Sequence, residues 1–113
     1  MRIDIKPLSV NGAYRGRRFA SKELKNYKDD LNKILPHISI PDGKLEARYV
    51  FGVSSQVCDV DNFIKAFQDC VAERYGFNDN RIFKITVEKV CVKKGSEFID
   101  FEIKNYESNT TKT

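Results

Sequence analysis

The sequence predicts an α+β fold, a single compact domain in which helices pack on a mixed β-sheet. Three observations lead to this prediction. Two segments carry apolar residues at helical spacing, and several others alternate with the period of a strand. The elements follow one another as strand, helix, strand, helix and β-hairpin. The length of 113 residues is that of one ordinary domain.

The first half of the chain predicts a strand, a long loop and a helix. Residues 2–6 alternate, with Ile3 and Ile5 on one face. A loop then leads to Ser21, which we expect to cap the helix. The helix stops at Pro36, which lacks a backbone N–H. Its apolar stripe consists of Leu24, Tyr27, Leu31 and Ile34.

The second half predicts a strand, a helix and a hairpin. Residues 45–53 alternate, and residues 61–75 form an amphipathic helix that Gly76 ends in left-handed conformation. A strand begins near Phe83, and its apolar phase slips at Val90, which suggests a β-bulge. A turn at 93–96 would make a hairpin with a strand at 97–104. We place the domain at 1–104 and a polar, flexible tail at 105–113.

Composition excludes several classes of protein. No apolar run approaches the roughly 20 residues of a membrane span, and the N-terminus does not resemble a signal peptide, so we expect a cytoplasmic protein. The three cysteines are widely spaced and there is one histidine, which argues against a zinc site and favours buried structural cysteines. The net charge is +4, and residues 2–28 hold eight basic and two acidic residues. This distribution is compatible with a nucleic-acid ligand.

A set of acidic residues surrounds the second predicted helix. Asp59 and Asp61 are two residues apart near its start, so in extended backbone their side chains share a side. Asp79 follows the far end of the helix. Carboxylates so placed can hold a hard cation such as Mg²⁺, and Lys65, one turn after Asp61, could neutralise charge on a phosphate. These residue types are those that phosphodiester hydrolysis requires.

Structural explanations of the same residues remain open on spacing alone. Asp61 could be the N-cap of the helix, with Asp59 favoured by the helix dipole. Asp61 and Lys65 could form an ordinary surface ion pair. The Asn78-Asp79-Asn80 segment could be only a turn.

Three segments resemble the RusA family of Holliday junction resolvases. Residues 59–65, DVDNFIK, resemble the family's D-x-D-N-x-x-K motif. Residues 76–82, GFNDNRI, are similar to its acidic turn, although the family often has two adjacent acids where this chain has Asn78 and Asp79. Residues 7–15, PLSVNGAYR, resemble its P-x-S-x-N-x-x-Y loop. The order and spacing agree over most of the chain, up to the final hairpin.

The resemblance implies a Mg²⁺-dependent homodimer, with Mn²⁺ as a possible substitute, that nicks four-way DNA junctions symmetrically. It carries the metal ligands to Asp59, Asp61 and Asp79, and the catalytic lysine to Lys65. The resulting expectation is an endodeoxyribonuclease of DNA recombination and repair.

The basic loop at 15–18 predicts contacts with DNA phosphates. Arginine-rich loops are often simply solvated, but here a tyrosine precedes the run and Gly16 allows close backbone approach. The residues that we expect to contact DNA are Asn11, Tyr14, Arg15, Arg17 and Arg18. A non-catalytic DNA-binding module, a structure-selective nickase of the same fold and a small protein-interaction domain remain alternatives.

Overall fold

The structure is a computed structural model that describes residues 1–9, 18–54 and 60–107; the side chains of 18–21 and of Asn62 are also outside the description. The elements in chain order are β1 (Arg2–Ile3), α1 (Arg18–Ile34), β2 (Leu45–Val53), α2 (Asp61–Tyr75), a 3₁₀ turn (Asp79–Arg81), β3 (Ile82–Cys91) and β4 (Phe98–Asn105). The predicted α+β class with a mixed sheet is confirmed.

Strand β2 lies inside the four-stranded sheet, whose order is β1-β4-β2-β3. It pairs parallel with β3 on one side and antiparallel with β4 on the other. β2, α2 and β3 therefore form a β-α-β unit, in which the helix returns the chain from the carboxyl end of β2 to the amino end of β3. This arrangement decides where residues before and after α2 can lie.

The core lies between the two helices and one face of the sheet. Tyr27 and Leu31 come from α1, Phe67 comes from α2, and Tyr49 and Phe101 come from the sheet; all five are buried. The ring of Phe67 meets those of Tyr49 and Phe101 edge-on, at centroid distances of 5.5 and 5.4 Å. Such edge-to-face contacts add to the stabilisation from burial. The alternation of β2 predicted its buried face correctly.

The predicted hairpin of β3 and β4 does not form, because β2 lies between these strands. The turn itself is present, with Ser96 N–H donating to the carbonyl of Lys93 at 2.9 Å. Beyond it the chain crosses the end of β2, where Ser54 Oγ donates to Glu97 at 2.7 Å. The physical reason is burial: Ile99 and Phe101 are completely buried beside β2, whereas a position outside β3 would leave them uncovered.

Three helix and strand boundaries also differ from prediction. α1 begins at Arg18, so Ser21 lies inside the helix and is not its cap. Leu35 rather than Ile34 is buried at its end. β1 is only two residues long, and β4 continues to Asn105. Tyr106, beyond the predicted domain boundary, donates its N–H to the carbonyl of Lys44.

The predicted bulge in β3 is misplaced. The register between β2 and β3 shifts at Leu45 and Glu46, opposite the start of β3, and is regular up to Val53 and Cys91. Val90 faces the side of the sheet away from the helices, opposite Gly52. The apolar residues of β3 therefore move from the helix side of the sheet to its other side at Val90, without a bulge. This is possible because the helices cover little of this strand. Cys91 is exposed and Cys70 is buried, so the expectation of buried cysteines holds for Cys70 alone of these two.

Candidate functional site

The β-α-β unit gives the molecule two ends, which separate the predicted site residues. The carboxyl end, where β2 and β3 finish, holds the start of α2 and the 93–96 turn. The amino end, where both strands begin, holds the 3₁₀ turn that contains Asp79.

Asp61 is the first residue of α2 and is exposed. The N-cap position belongs to Val60, whose apolar side chain makes no capping hydrogen bond. The interpretation of Asp61 as the N-cap is therefore wrong, and its carboxylate is available for another role beside the positive end of the helix dipole. Asp59 lies outside the described residues.

Lys65 lies one turn further along α2 and is exposed. Its ammonium is 3.3 Å from a carboxylate oxygen of Asp69, one turn further again. Sequence reasoning overlooked Asp69, although its i,i+4 spacing from Lys65 was a sufficient signal. One side of the helix thus carries Asp61, Lys65 and Asp69 at successive turns. In the order of the chain, the lysine comes between the two carboxylates.

A cleft at the carboxyl end brings two of the sequence motifs together. Residues 5–9 form one wall, and Phe63 of α2 and Ser54 at the end of β2 form others, around a volume of about 660 Å³. Tyr27 closes it from α1; burial raises the pKa of its hydroxyl above the ordinary range, and the backbone of Leu8 partly opposes that effect. Residues 7–9 begin the RusA-like loop, so it starts beside the first turn of α2.

Asp79 lies at the amino end, in a turn that hydrogen bonds of its neighbours stabilise. Asn78 caps the 3₁₀ turn, its side-chain oxygen accepting from the N–H of Asn80 at 3.0 Å. Arg81 anchors the turn by donating to the carbonyls of Gly43 and Pro41. The segment is indeed a turn, but Asn78 caps it, so the turn does not require the exposed carboxylate of Asp79.

The surroundings of Asp79 belong to the last turns of α2. Asp79 shares an open hollow with Asp69 and Ala72. Its charge also reaches Tyr49, whose hydroxyl donates to Gln68 at 2.7 Å. Burial raises the pKa of Tyr49 above its ordinary value, and the negative charge of Asp79 raises it further.

No protein family model matches the chain, and the search of curated proteins finds no match.

The described residues of one chain do not assemble a metal centre. Nowhere in residues 1–9, 18–54 and 60–107 do three histidine, cysteine, aspartate or glutamate side chains come close enough to share an ion. The carboxylates are the right donors for Mg²⁺, but Asp61 and Asp79 lie at different ends of α2. The two aspartates of one chain therefore do not fit a single shared cation.

The basic loop lies almost wholly outside the described residues, as do Asn11, Tyr14, Arg15 and Arg17. Arg18 is the first residue of α1, and its side chain is not described.

None of the described helices has the length and apolar character that a bilayer crossing requires.

Proposed function

We propose that this protein is a metal-dependent endonuclease that resolves branched DNA in recombination and repair, as its resemblance to the RusA family implies. One observation supports the proposal most directly. Residues 7–9 and the start of α2, more than fifty positions apart in the sequence, line the same cleft. A loop expected to approach DNA phosphates thereby begins beside the helix that carries Asp61 and Lys65.

Each residue has a role in this proposal. Asp59 and Asp61 of one chain, together with Asp79 of a second copy, would hold Mg²⁺, for which Mn²⁺ could substitute. When bound, the ion would supply an activated water and neutralise charge on the scissile phosphate. Lys65 stabilises the extra negative charge that develops on that phosphate. Lys65 is exposed, and its ion pair with Asp69 is of the exposed kind that contributes little to stability.

The separation of Asp61 from Asp79 makes a second copy necessary if both bind one ion. Helix α2 has 15 residues, which gives a length of about 22 Å. Two carboxylates that share Mg²⁺ each bind it at about 2.1 Å. A two-fold homodimer can bring Asp61 of one chain to Asp79 of the other, twice. Two such centres suit the two opposed strands of a four-way junction.

The decisive experiment compares a synthetic four-way junction with a linear duplex of the same sequence, with and without Mg²⁺. The proposal expects paired, symmetric nicks in the junction only, and only with the metal. Junction binding without cleavage in Mg²⁺ or Mn²⁺ would instead identify a DNA-binding module. Single unpaired nicks would identify a structure-selective nickase, and the absence of both binding and cleavage would favour a protein-interaction domain.

A further inference from the structure

Strand β3 is an edge of the sheet and carries an exposed apolar surface. It is ten residues long, and among residues 1–9, 18–54 and 60–107 it pairs only with β2. Phe83 is 57% exposed and Ile85 is 41% exposed, and they are two of the four large hydrophobic residues that stand out among the described parts of the chain. A long edge of this kind offers unpaired N–H and C=O groups to another strand.

We propose that the edge of β3 pairs with the same strand of a second copy, antiparallel and centred on Thr86. The second copy is indicated by the charges of the strand itself. An antiparallel two-fold pairing centred on Thr86 puts Lys84 opposite Glu88 of the partner subunit, and Glu88 opposite the partner's Lys84. Both ion pairs arise from one sequence, so the surface is complementary to itself.

The apolar residues agree with the same register. Residues 85 and 87 face the helix side of the sheet, since they pair with Ala47 and Tyr49 of β2. The pairing puts Ile85 opposite Val87 of the partner subunit on that side, and the reverse. Lys84 and Glu88 project on the other side, where Lys84 already lies 3.9 Å from Glu46. Lys84 would then sit between Glu46 and the partner's Glu88.

Neighbouring two-fold registers lack this agreement. Centring on Ile85 places Lys84 opposite Thr86 of the partner subunit, and centring on Val87 places Glu88 opposite the partner's Thr86. Centring on Cys91 restores an ion pair between Glu88 and Lys94, but sets Lys89 against Lys93 of the partner subunit. Like charges directly opposite each other destabilise a strand pair. The charge pattern therefore selects Thr86 as the centre.

This pairing would join two four-stranded sheets into one continuous sheet with both copies of α2 on the same face. Because the two β3 strands run antiparallel, the amino end of one copy adjoins the carboxyl end of the other. Asp61 of each copy then lies at the same end as Asp79 of the partner subunit. The inference deepens the homodimer of the proposed function, but it rests on the strand edge and is tested without DNA or metal.

The first test of the register is cross-linking through Thr86→Cys in the full chain. The background carries Cys58→Ser and Cys91→Ser; Cys70 remains, because burial raises the pKa of its thiol to about 11 and keeps it unreactive. A short bis-methanethiosulfonate should link two copies efficiently. The matched control is Glu102→Cys on the same face of β4, whose two copies would be about 24 Å apart across five strand spacings.

The second test uses sedimentation equilibrium of charge variants. Glu88→Lys places a lysine opposite Lys84 of the partner subunit, so that both attractive ion pairs of the dimer become repulsive. The dimer dissociation constant should increase about tenfold. Adding Lys84→Glu should recover most of that loss, although it also opposes Glu46 within the chain. Glu102→Lys, on the same face but away from the edge, should leave dimerisation unchanged.

The two tests measure dimer assembly independently of DNA cleavage. Linkage of Thr86→Cys together with recovery in the double variant supports the pairing, whether or not the protein cleaves DNA. A monomer at micromolar concentration, or a dimer that Thr86→Cys does not link, overturns it. Ready oxidation of the wild-type protein to a Cys91-linked dimer would also overturn it, because Thr86 centring keeps the two thiols about 34 Å apart.

Discussion

Asp61 and Asp79 lie at opposite ends of helix α2, the first at its amino terminus and the second in the turn beyond its carboxyl terminus. They belong to the same acidic set in the sequence, and yet the β-α-β connection separates them. The parallel pairing of β2 with β3 causes the separation, because a helix between parallel strands must span the sheet. A site that uses both aspartates must therefore involve two chains.

Complementation between inactive variants tests this shared site. Asp61→Asn and Asp79→Asn should each abolish junction cleavage while leaving binding intact or tighter, because a carboxylate repels phosphate. Mixed after dissociation and reassembly, the two variants should recover about a quarter of wild-type nicking, since half of the dimers are mixed and each holds one intact site. The measurement is nicking of a labelled junction by the mixture. A mixture as inactive as its components would show that each chain keeps its own site.

Asp59→Asn should have the same consequence for cleavage as Asp61→Asn. In the complementation assay it should restore activity with Asp79→Asn but not with Asp61→Asn, since the resemblance places both acids on one chain's side of the site. Full nicking by Asp59→Asn alone would remove that residue from the metal ligands.

Lys65→Ala should reduce cleavage by several orders of magnitude and leave the fold intact, because the side chain is exposed. The control is Asp69→Ala, which breaks the same 3.3 Å ion pair but retains the ammonium. Both variants should melt within about 3 °C of wild type, as expected for a surface pair. Single-turnover cleavage and thermal unfolding measure the two effects. Equal loss of activity in both variants would assign the effect to the ion pair instead.

Local sequence signals predicted much of this fold. The alternation of residues 45–53 identified the buried face of β2, and Gly76, with a φ of 72°, ends α2 as predicted. These features depend on backbone preferences and burial within a few residues, which a single sequence records directly.

Partner choice among strands was not predictable in the same way. The turn at 93–96 favours a hairpin locally, but β2, whose alternate residues are buried, pairs with β3 along one edge and with β4 along the other. The distance between Asp61 and Asp79 follows from that topology and not from their spacing in the sequence. The sequence identified Asp61 and Asp79 as candidate ligands. Their separation in space could be predicted only once the parallel pairing of β2 with β3 was known.

The basic loop should bind DNA through its phosphates. Replacing Arg15, Arg17 and Arg18 together by alanine should weaken junction binding and reduce the slope of log affinity against log salt by about one for each lost contact. Arg18→Ala alone has a matched control in Lys104→Ala, which removes one charge from the sheet face opposite the helices. Titrations at several salt concentrations provide the slope. Identical slopes for wild type and the triple variant would show that the loop does not touch the backbone.

The carboxyl end of β2 contains a hydrogen bond whose effect depends on pH. Ser54 Oγ donates to Glu97 at 2.7 Å, and this bond, followed by the backbone N–H groups of Glu97 and Gly95, lowers the pKa of the Glu97 carboxyl. A depressed pKa in the folded state stabilises the protein above the ordinary glutamate value of about 4.3. That stabilisation is lost as the pH falls through the folded-state pKa.

Ser54→Ala should therefore raise the pKa of Glu97 toward its ordinary value and loosen the crossing from β3 to β4. The variant should be less stable than wild type at neutral pH, and this stability difference should narrow at acidic pH, once the carboxyl is protonated in both proteins. Ser54→Thr retains a hydroxyl and should behave like wild type. Carbon-detected NMR titration of the Glu97 carboxyl measures the shift, and denaturant unfolding at both pH values measures the stability. An unchanged Glu97 titration in Ser54→Ala would mean that this hydrogen bond does not lower the pKa of Glu97. A stability difference between the variant and wild type that persists at low pH would assign the lost stability to packing.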